Sequence, residues 1–309
     1  MFEVIPLGTG SAIPTRRRGL SGTAVWRDGR LLLFDCGEGT QLRLLEAGLN
    51  RARLDAVFVT HFHGDHLYGL PGLVTTLGLL GRTRPLTVVG PEGIADIVHG
   101  VPGLSADWLS FEIHWMELAE GFGHAVVYET PGLTVEARPL DHRVFAAGYR
   151  LQEKARPGTL DAAAARAAGL TEGRQFARLK RGEPVTLADG TVVRPEGLVG
   201  PERPGASFAY CLDTMPCEGA RRLAEEATLL LHEATFAEEL RDQARKTGHS
   251  TARDAAVTAC DAGAERLLLT HFSARYADPA PLVEEARAVF PNTDAAEELR
   301  RYVVTRDAS

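Results

Sequence analysis

Apolar and polar positions alternate in short runs along most of the chain. Residues 2–7, 56–60 and 86–89 are apolar runs of strand length. Runs 23–26 and 30–35 flank Asp28-Gly29, a pair suited to a tight hairpin turn. Helical spacing marks 40–46 and 93–99, and Trp115, 126–128 and 134–140 read as further strands. Between about 152 and 205 the alternation lapses. An alanine-rich helix at 160–168 is followed by Gly173-Arg174, the basic segment Arg178-Leu179-Lys180-Arg181-Gly182, and a hairpin pattern at 184–193 around Asp189-Gly190. Pro195, Gly197, Gly200, Pro201, Pro204 and Gly205 come next. Weak apolar periodicity predicts an inserted arm, 153–203, within one domain spanning 1–309. Strands at 207–212, 228–231 and 266–270 then alternate with helices at 251–262 and 282–290, before a last strand at 302–304. This order predicts an α/β protein. Residues 55–62 and 265–272 are each an apolar strand running into Thr-His-Phe, an internal echo that fits a two-half architecture.

Composition narrows the class. The chain has 309 residues, 44% apolar and 24% charged, enough for a large buried core and unlike a disordered protein. The net charge of −7 means that RNA binding has to use local basic patches. Cys36, Cys211, Cys217 and Cys260 form no CxxC pair, which argues against a zinc ribbon or a thioredoxin-like site. They read as reduced core residues of a cytoplasmic protein. The first residues lack a basic stretch followed by an apolar one, so no signal peptide is expected. The most apolar run, 70–80, is short and interrupted by Pro71, Gly72 and Gly78, so no membrane span is expected.

The chemistry concentrates where strands end. His61, Asp213, His232 and His271 each close a predicted strand, and Leu140-Asp141-His142 adds a fifth such position. Sites in α/β sheets gather at the carboxyl ends of strands. In His61-Phe62-His63-Gly64-Asp65-His66, the alternate residues His61 and His63 can face one ion. Gly64 permits a sharp turn, and Asp65 and His66 can then face a second. Imidazole with carboxylate suits zinc and similar ions. Taken alone, His142 reads equally as an exposed histidine, Asp213 as a helix N-cap and His271 as a core histidine. Their shared position at strand ends favours the ligand reading. Asp35 ends a strand in a glycine-rich turn, where it can order loop amides or orient a ligand histidine.

The same residues carry a family resemblance. The run 61–66 resembles the signature of the metallo-β-lactamase superfamily. Leu7-Gly8-Thr9-Gly10, Phe34-Asp35-Cys36-Gly37-Glu38-Gly39-Thr40-Gln41, and His66-Leu67-Tyr68-Gly69-Leu70-Pro71-Gly72 resemble further motifs of the short-form tRNase Z family. So do His232-Glu233-Ala234-Thr235-Phe236, Gly248-His249-Ser250-Thr251 and Thr270-His271-Phe272-Ser273-Ala274-Arg275-Tyr276. These last three separate that family from lactonases, glyoxalases and β-lactamases. The resemblance implies an αββα sandwich with a dinuclear site at one edge. His61, His63 and His142 would hold one metal, Asp65, His66 and His271 the other, and Asp213 would bridge them. It implies two Zn²⁺ per subunit, with Mn²⁺ as an alternative. Two such ions would acidify water to a pKa near 7 and neutralise phosphate oxygens. It further implies endonucleolytic removal of the 3′ trailer from precursor tRNA, leaving a 3′-hydroxyl on the tRNA. Asp65 would accept the water's proton, and His249, oriented by Glu233, would protonate the leaving oxygen. His99, His114 and His124 are left as surface or packing residues.

For RNA contact, Pro14-Thr15-Arg16-Arg17-Arg18-Gly19 resembles the family's Pro-x-Lys-x-Arg-Asn loop, with Arg16 for Lys and Gly19 for Asn. Arg16 and Arg18 are the expected phosphate contacts there. The insert resembles the flexible arm that grips the tRNA body, with Arg174, Arg178, Lys180 and Arg181 as the expected contacts. Arg174 stands where relatives often have Pro, and Leu212 where they often have Gly before the Asp. The family also implies a homodimer in which one subunit's arm presents tRNA to the other's active site.

Overall fold

The structure is a computed structural model that describes residues 1–101, 104, 109–171 and 173–306. The hairpin reading holds at its turn. Asp28 and Gly29 both have positive φ, 49° and 75°, the left-handed pair that lets a two-residue turn follow the twist of its strands. That turn joins β2 (Gly22–Arg27) to β3 (Arg30–Phe34), and β1 (Phe2–Gly8) lies antiparallel to β2. Helix α1 (Thr40–Glu46) returns the chain to β4 (Leu54–Phe58), parallel to β3. The short helix α2 (Gly64–Leu67) and then α3 (Gly69–Leu79) follow, α3 being formed by the apolar run at 70–80. Strand β5 (Leu86–Pro91), helix α4 (Ile94–His99) and strand β6 (Ile113–Leu118) complete the first half.

The second half opens with β7 (Ala125–Glu129) and β8 (Leu133–Pro139) and continues into β9 (Ala147–Glu153), a strand the sequence pattern does not announce. Beyond the arm come β12 (Ser207–Cys211), α7 (Glu218–Ala224), β13 (Leu229–Glu233), α8 (Arg241–Thr247), α9 (Ala252–Asp261), β14 (Leu267–Thr270), α10 (Ala280–Arg287), β15 (Thr293–Ala295) and β16 (Tyr302–Val304). Helix α9 starts on a reciprocal cap between Thr251 and Asp254, as its Thr-x-x-Asp start allows. One seven-stranded sheet runs β16-β1-β2-β3-β4-β5-β6, the other β15-β14-β13-β12-β9-β8-β7.

Period-two alternation sorts the side chains. Leu32 and Phe34 of β3 join Phe58, Tyr149, Phe208 and Tyr210 in the core between the sheets. Leu31 and Leu33 point the other way, onto the helices α1, α3 and α4. On the second sheet, Leu230, Leu267 and Leu269 meet Ala220, Ala252, Ala255 and Ala259 of α7 and α9. Small alanines let these helices lie close to the sheet. The result is helix, sheet, sheet, helix, the αββα sandwich expected. Leu212 is buried in the central core, so its departure from the family pattern serves packing. Of the cysteines, Cys36 and Cys211 are core residues, but Cys217 is half-buried and Cys260 exposed, against the expectation for those two. Cys217 caps α7, accepting from the Ala220 amide.

Residues 153–205 form their own compact unit. Within it lie α5 (Ala162–Ala167), α6 (Arg174–Lys180) and the hairpin of β10 (Val185–Thr186) and β11 (Val192–Val193). Ala165, Leu170, Leu179, Val185 and Val193 make a small core of their own. Reciprocal amide–carbonyl bonds between Arg156 and Arg203, 2.9 and 2.8 Å, close its base. Its helix α6 was not evident from the sequence.

Candidate metal centre

Seven of the side chains singled out from sequence meet at the ends of strands. One donor atom from each of His61, His63, His142 and Asp213 lies within 4.8 Å of the others, and the same holds for Asp65, His66 and His271. Asp213 touches both groups. Its Oδ2 is 3.5 Å from His61 Nε2 and 3.9 Å from His142 Nε2, while Oδ1 is 3.3 Å from His66 Nε2 and 3.1 Å from His271 Nε2. His232 does not join them. Its Nδ1 donates to the Glu233 carbonyl at 2.8 Å and its ring is buried elsewhere. His99 packs edge-on to Trp115, and His114 and His124 pair with Glu112 and Glu136, so none of the three reaches the cluster.

Each half of the fold orients its histidines by the same device, a carboxylate acting directly or through a threonine. In the first half, Asp35 Oδ1 accepts from the Thr60 amide at 2.8 Å, and Oδ2 accepts from His66 Nδ1 at 2.7 Å and the Tyr210 hydroxyl at 2.9 Å. The Thr60 hydroxyl donates to Asp35 and so accepts from His61 Nδ1, 2.9 Å away. In the second half, the Thr235 hydroxyl donates to Glu233 Oε2 at 2.6 Å and accepts from His271 Nδ1 at 3.0 Å. His142 Nδ1 donates to the Gly248 carbonyl at 2.6 Å. With Nδ1 protonated and occupied, each of these four rings turns an Nε2 lone pair inward. Gly248 is required for this. Its φ is +78°, and a Cβ there would lie 2.8 Å from His142 Nδ1.

Backbone conformation marks the same places. Asp35, Asp213 and His271 all have left-handed φ, between 48° and 58°, which costs about 1–3 kcal/mol each for residues other than glycine. At Asp213 and His271 the turn brings the side chain into the ligand cluster, and at Asp35 it brings the carboxylate behind His66 and Thr60.

The donor set fits divalent cations. His61 Nε2, His142 Nε2 and Asp213 Oδ1 are buried without a hydrogen-bond partner. His66 Nε2 and His271 Nε2 face each other at 3.4 Å. Converging imidazole lone pairs and carboxylates need cations between them. The protein charges reflect this. Burial raises the Asp213 and Asp65 carboxyls, but the neighbouring histidines outweigh it and hold both well below the usual carboxylate range. Burial pushes His61 well below its usual range. In the protein alone, burial opposes protonation of His66, yet Asp213 and Asp35 raise it well above; a divalent ion held there would take the place of the Nε2 proton.

His249 sits at the rim. Its Nδ1 donates to Glu233 Oε1 at 2.9 Å, and Glu233 also accepts from the Thr214 amide at 2.7 Å. Burial lowers its pKa, but the Glu233 charge and hydrogen bond win and lift it to about 9. Arg16 is exposed in the loop 9–19, whose Ala12 amide donates to Asp65 Oδ2 at 2.8 Å. Arg18 is spent within the protein. Its guanidinium donates to the Tyr276 carbonyl at 2.7 Å and lies over the Phe272 ring. In the arm, Arg174, Arg178 and Arg181 follow i, i+4, i+7 spacing along α6 and its end, all exposed, as is Lys180. Arg178 and Arg181 both pair with Glu183. The supporting residues Thr60, Thr235, Tyr210 and Gly248 escaped sequence reading. Their signals were indirect: Thr60 precedes His61, and Thr235 and Gly248 stand inside the family motifs 232–236 and 248–251.

Two mixed sheets under helices, with a His/Asp cluster at the strand ends, define a hydrolase of the metallo-β-lactamase fold that uses divalent metal. The family described as Anti-Pycsar protein Apyc1 matches residues 2–96. A ribonuclease Z of Salinibacter ruber is 57% identical over 97% of this chain and 94% of its own length. The crystal structure of the human short-form tRNase Z superposes with a TM-score of 0.71 at 28% identity, covering 98% of this chain and 100% of that one. The Bacillus subtilis metallo-β-lactamase-fold protein YhfI shares the fold, with a TM-score of 0.68 at 17% identity over 97% and 98% of the two chains. The chain belongs to the ribonuclease Z family.

Proposed function

We propose that this chain removes the 3′ trailer from precursor tRNA as a zinc-dependent endoribonuclease. The observation that carries the reading is the His249–Glu233 pair, 2.9 Å apart at the rim of the seven-residue ligand cluster. Cleavage that leaves a 3′-hydroxyl on the tRNA expels a ribose 3′-oxygen, a poor leaving group that needs a proton. His249, protonated at neutral pH through Glu233, has that proton to give. Asp65, ionised and held by Ala12 N–H, accepts the proton of the attacking water. His61, His63 and His142 would hold one Zn²⁺, Asp65, His66 and His271 a second, and Asp213 would lie between them. Manganese is the alternative ion. Cations bound there would supply Lewis-acid chemistry, acidifying water and neutralising the phosphate. The products are a 3′-hydroxyl on the tRNA and a 5′-phosphate on the trailer.

Folded RNA is read by shape and phosphate positions rather than base sequence. Arg174, Arg178, Lys180 and Arg181 of the arm, spanning 153–203, and Arg16 at the mouth supply positive charge for this. The working unit is a homodimer in the cytoplasm, the arm of one subunit presenting tRNA to the other. Among the described residues, no helix is long and apolar enough to cross a membrane.

The test is cleavage of a 3′-extended precursor tRNA by the wild-type protein and by Asp65→Ala, with product ends mapped. The expected result is a cut just after the unpaired discriminator base, with a 3′-hydroxyl, lost in the variant. Absence of that cut, with bound metal and hydrolysis of a small diester intact, overturns the substrate.

A further inference from the structure

We propose that Glu298 is a positioning residue that clamps shut the base of loop 9–19 and so aims the arginines at the mouth of the active site. The proposal rests on the tRNA reading above. Both ends of the loop bond to one carboxylate oxygen. Glu298 Oε1 accepts from the Thr9 amide at 3.0 Å and from the Gly19 amide at 2.8 Å. The Thr9 hydroxyl donates to the same oxygen at 3.2 Å. The other oxygen, Oε2, pairs with Arg43 Nη2, and Arg43 Nε donates to the Leu7 carbonyl at 2.9 Å. The Glu298 side chain is only 12% exposed, so these charge-assisted bonds are shielded from water. Its aim is set next door, where Leu299 takes a left-handed φ of 66° and donates its amide to the Pro6 carbonyl at 2.7 Å.

The loop closed by this clamp meets the ligand cluster on two sides. At its tip, Ala12, itself left-handed at φ 62°, donates its amide to Asp65 Oδ2. Along one flank, the Ser11 amide donates to the Phe272 carbonyl and the Phe272 amide to the Thr9 carbonyl, immediately after His271. Arg18 stitches the other flank to the Tyr276 carbonyl. Between the fixed points, Ile13, Pro14, Thr15, Arg16 and Arg17 are exposed. Arg16 and Arg17 therefore ride on a loop whose two ends share the Glu298 carboxylate, beside a direct bond from the Gly10 amide to the Gly19 carbonyl. Without the carboxylate, the Thr9 and Gly19 amides lose a shared acceptor, and the arginines sample a wider space before RNA binds. Ordering them then costs affinity.

The experiment compares wild type, Glu298→Gln and Glu298→Ala in three readouts. Hydrogen exchange of the peptide covering residues 9–19, which needs no substrate, is expected to speed up at least tenfold in both variants while melting temperature stays within a few degrees. With precursor tRNA, KM is expected to rise about five- to twentyfold while kcat falls less than about threefold. In an Arg16→Ala/Arg17→Ala background, Glu298→Gln is expected to raise KM by no more than about twofold, because the groups it positions are gone. Unchanged exchange in 9–19 overturns the clamp. So does a KM effect that is fully additive with the arginine substitutions, or an equal loss in kcat and stability with no change in KM. Failure of wild-type protein to cut precursor tRNA would instead overturn the substrate reading, leaving the exchange result to decide the clamp.

Discussion

The metal centre and the arm answer opposite demands. In the centre, His61, His66 and His271 are each held by a buried partner, the strand ends are strained, and four of the seven ligand candidates are buried, with His63 exposed at the opening. The arm has a core of a handful of residues, short helices and a row of exposed arginines. Chemistry on a phosphodiester needs groups fixed to within about half an ångström. Gripping a folded RNA needs charge at roughly the right spacing and tolerates motion. The comparison implies that damage to the ligand cluster falls on turnover for any substrate, damage to the rim on substrates whose leaving group needs a proton, and damage to the arm on the binding of tRNA alone.

The sharpest way to break that comparison is to separate leaving groups. His249→Ala is expected to lower kcat on precursor tRNA by about 10²–10⁴. With bis-p-nitrophenyl phosphate, whose leaving group needs no proton, the loss is expected to stay below about tenfold. Equal losses on both substrates would assign His249 to orientation rather than proton donation.

A smaller effect is expected one layer out. Asp35→Asn keeps the side chain's size but cannot accept from Thr60, His66 and Tyr210 as the carboxylate does. Metal affinity is expected to fall about 10–100-fold, read by competition with a chromophoric chelator, with activity restored by excess metal. A variant that stays inactive at saturating metal would place Asp35 in the reaction itself.

The smallest effect on turnover belongs to the arm. Replacing Arg174, Arg178 and Arg181 together by Ala is expected to raise KM for precursor tRNA without lowering kcat. The salt dependence of KM is expected to flatten by roughly one unit of slope for each phosphate that is no longer neutralised. Because Glu183 already pairs with Arg178 and Arg181, Arg174 alone is expected to carry the largest single share. Loss of kcat in the triple variant would mean the arm acts on the chemistry.

How much of this was legible in the sequence follows from distance along the chain. His61 to His66 lie within six residues after a buried strand, so their convergence is local and readable. Asp213 and His271 become readable because each ends an apolar run. The threonine links were hidden, since Thr60 and Thr235 look like ordinary strand-end residues until the fold sets Asp35 and Glu233 beside them. The Gly248 carbonyl has no side-chain signature at all. Strand β9 was missed because Arg150, Gln152 and Glu153 make it look polar, and α6 because three of its seven residues are basic and its apolar face is only Phe176 and Leu179. Arg18 shows the limit of reading charge. A guanidinium in an Arg run signals RNA by its charge, yet its stem and plane are used to pack against Phe272 and Tyr276.

Phe2 pairs with Val304, and loop 9–19 is closed by Glu298. During synthesis, β1 and this loop exist long before the residues that complete them. A chain growing from its N-terminus therefore carries an open sheet edge and an unset catalytic mouth until some three hundred residues have been made. A chain ending before β16 would hold every proposed metal ligand and still leave β1 without its edge partner.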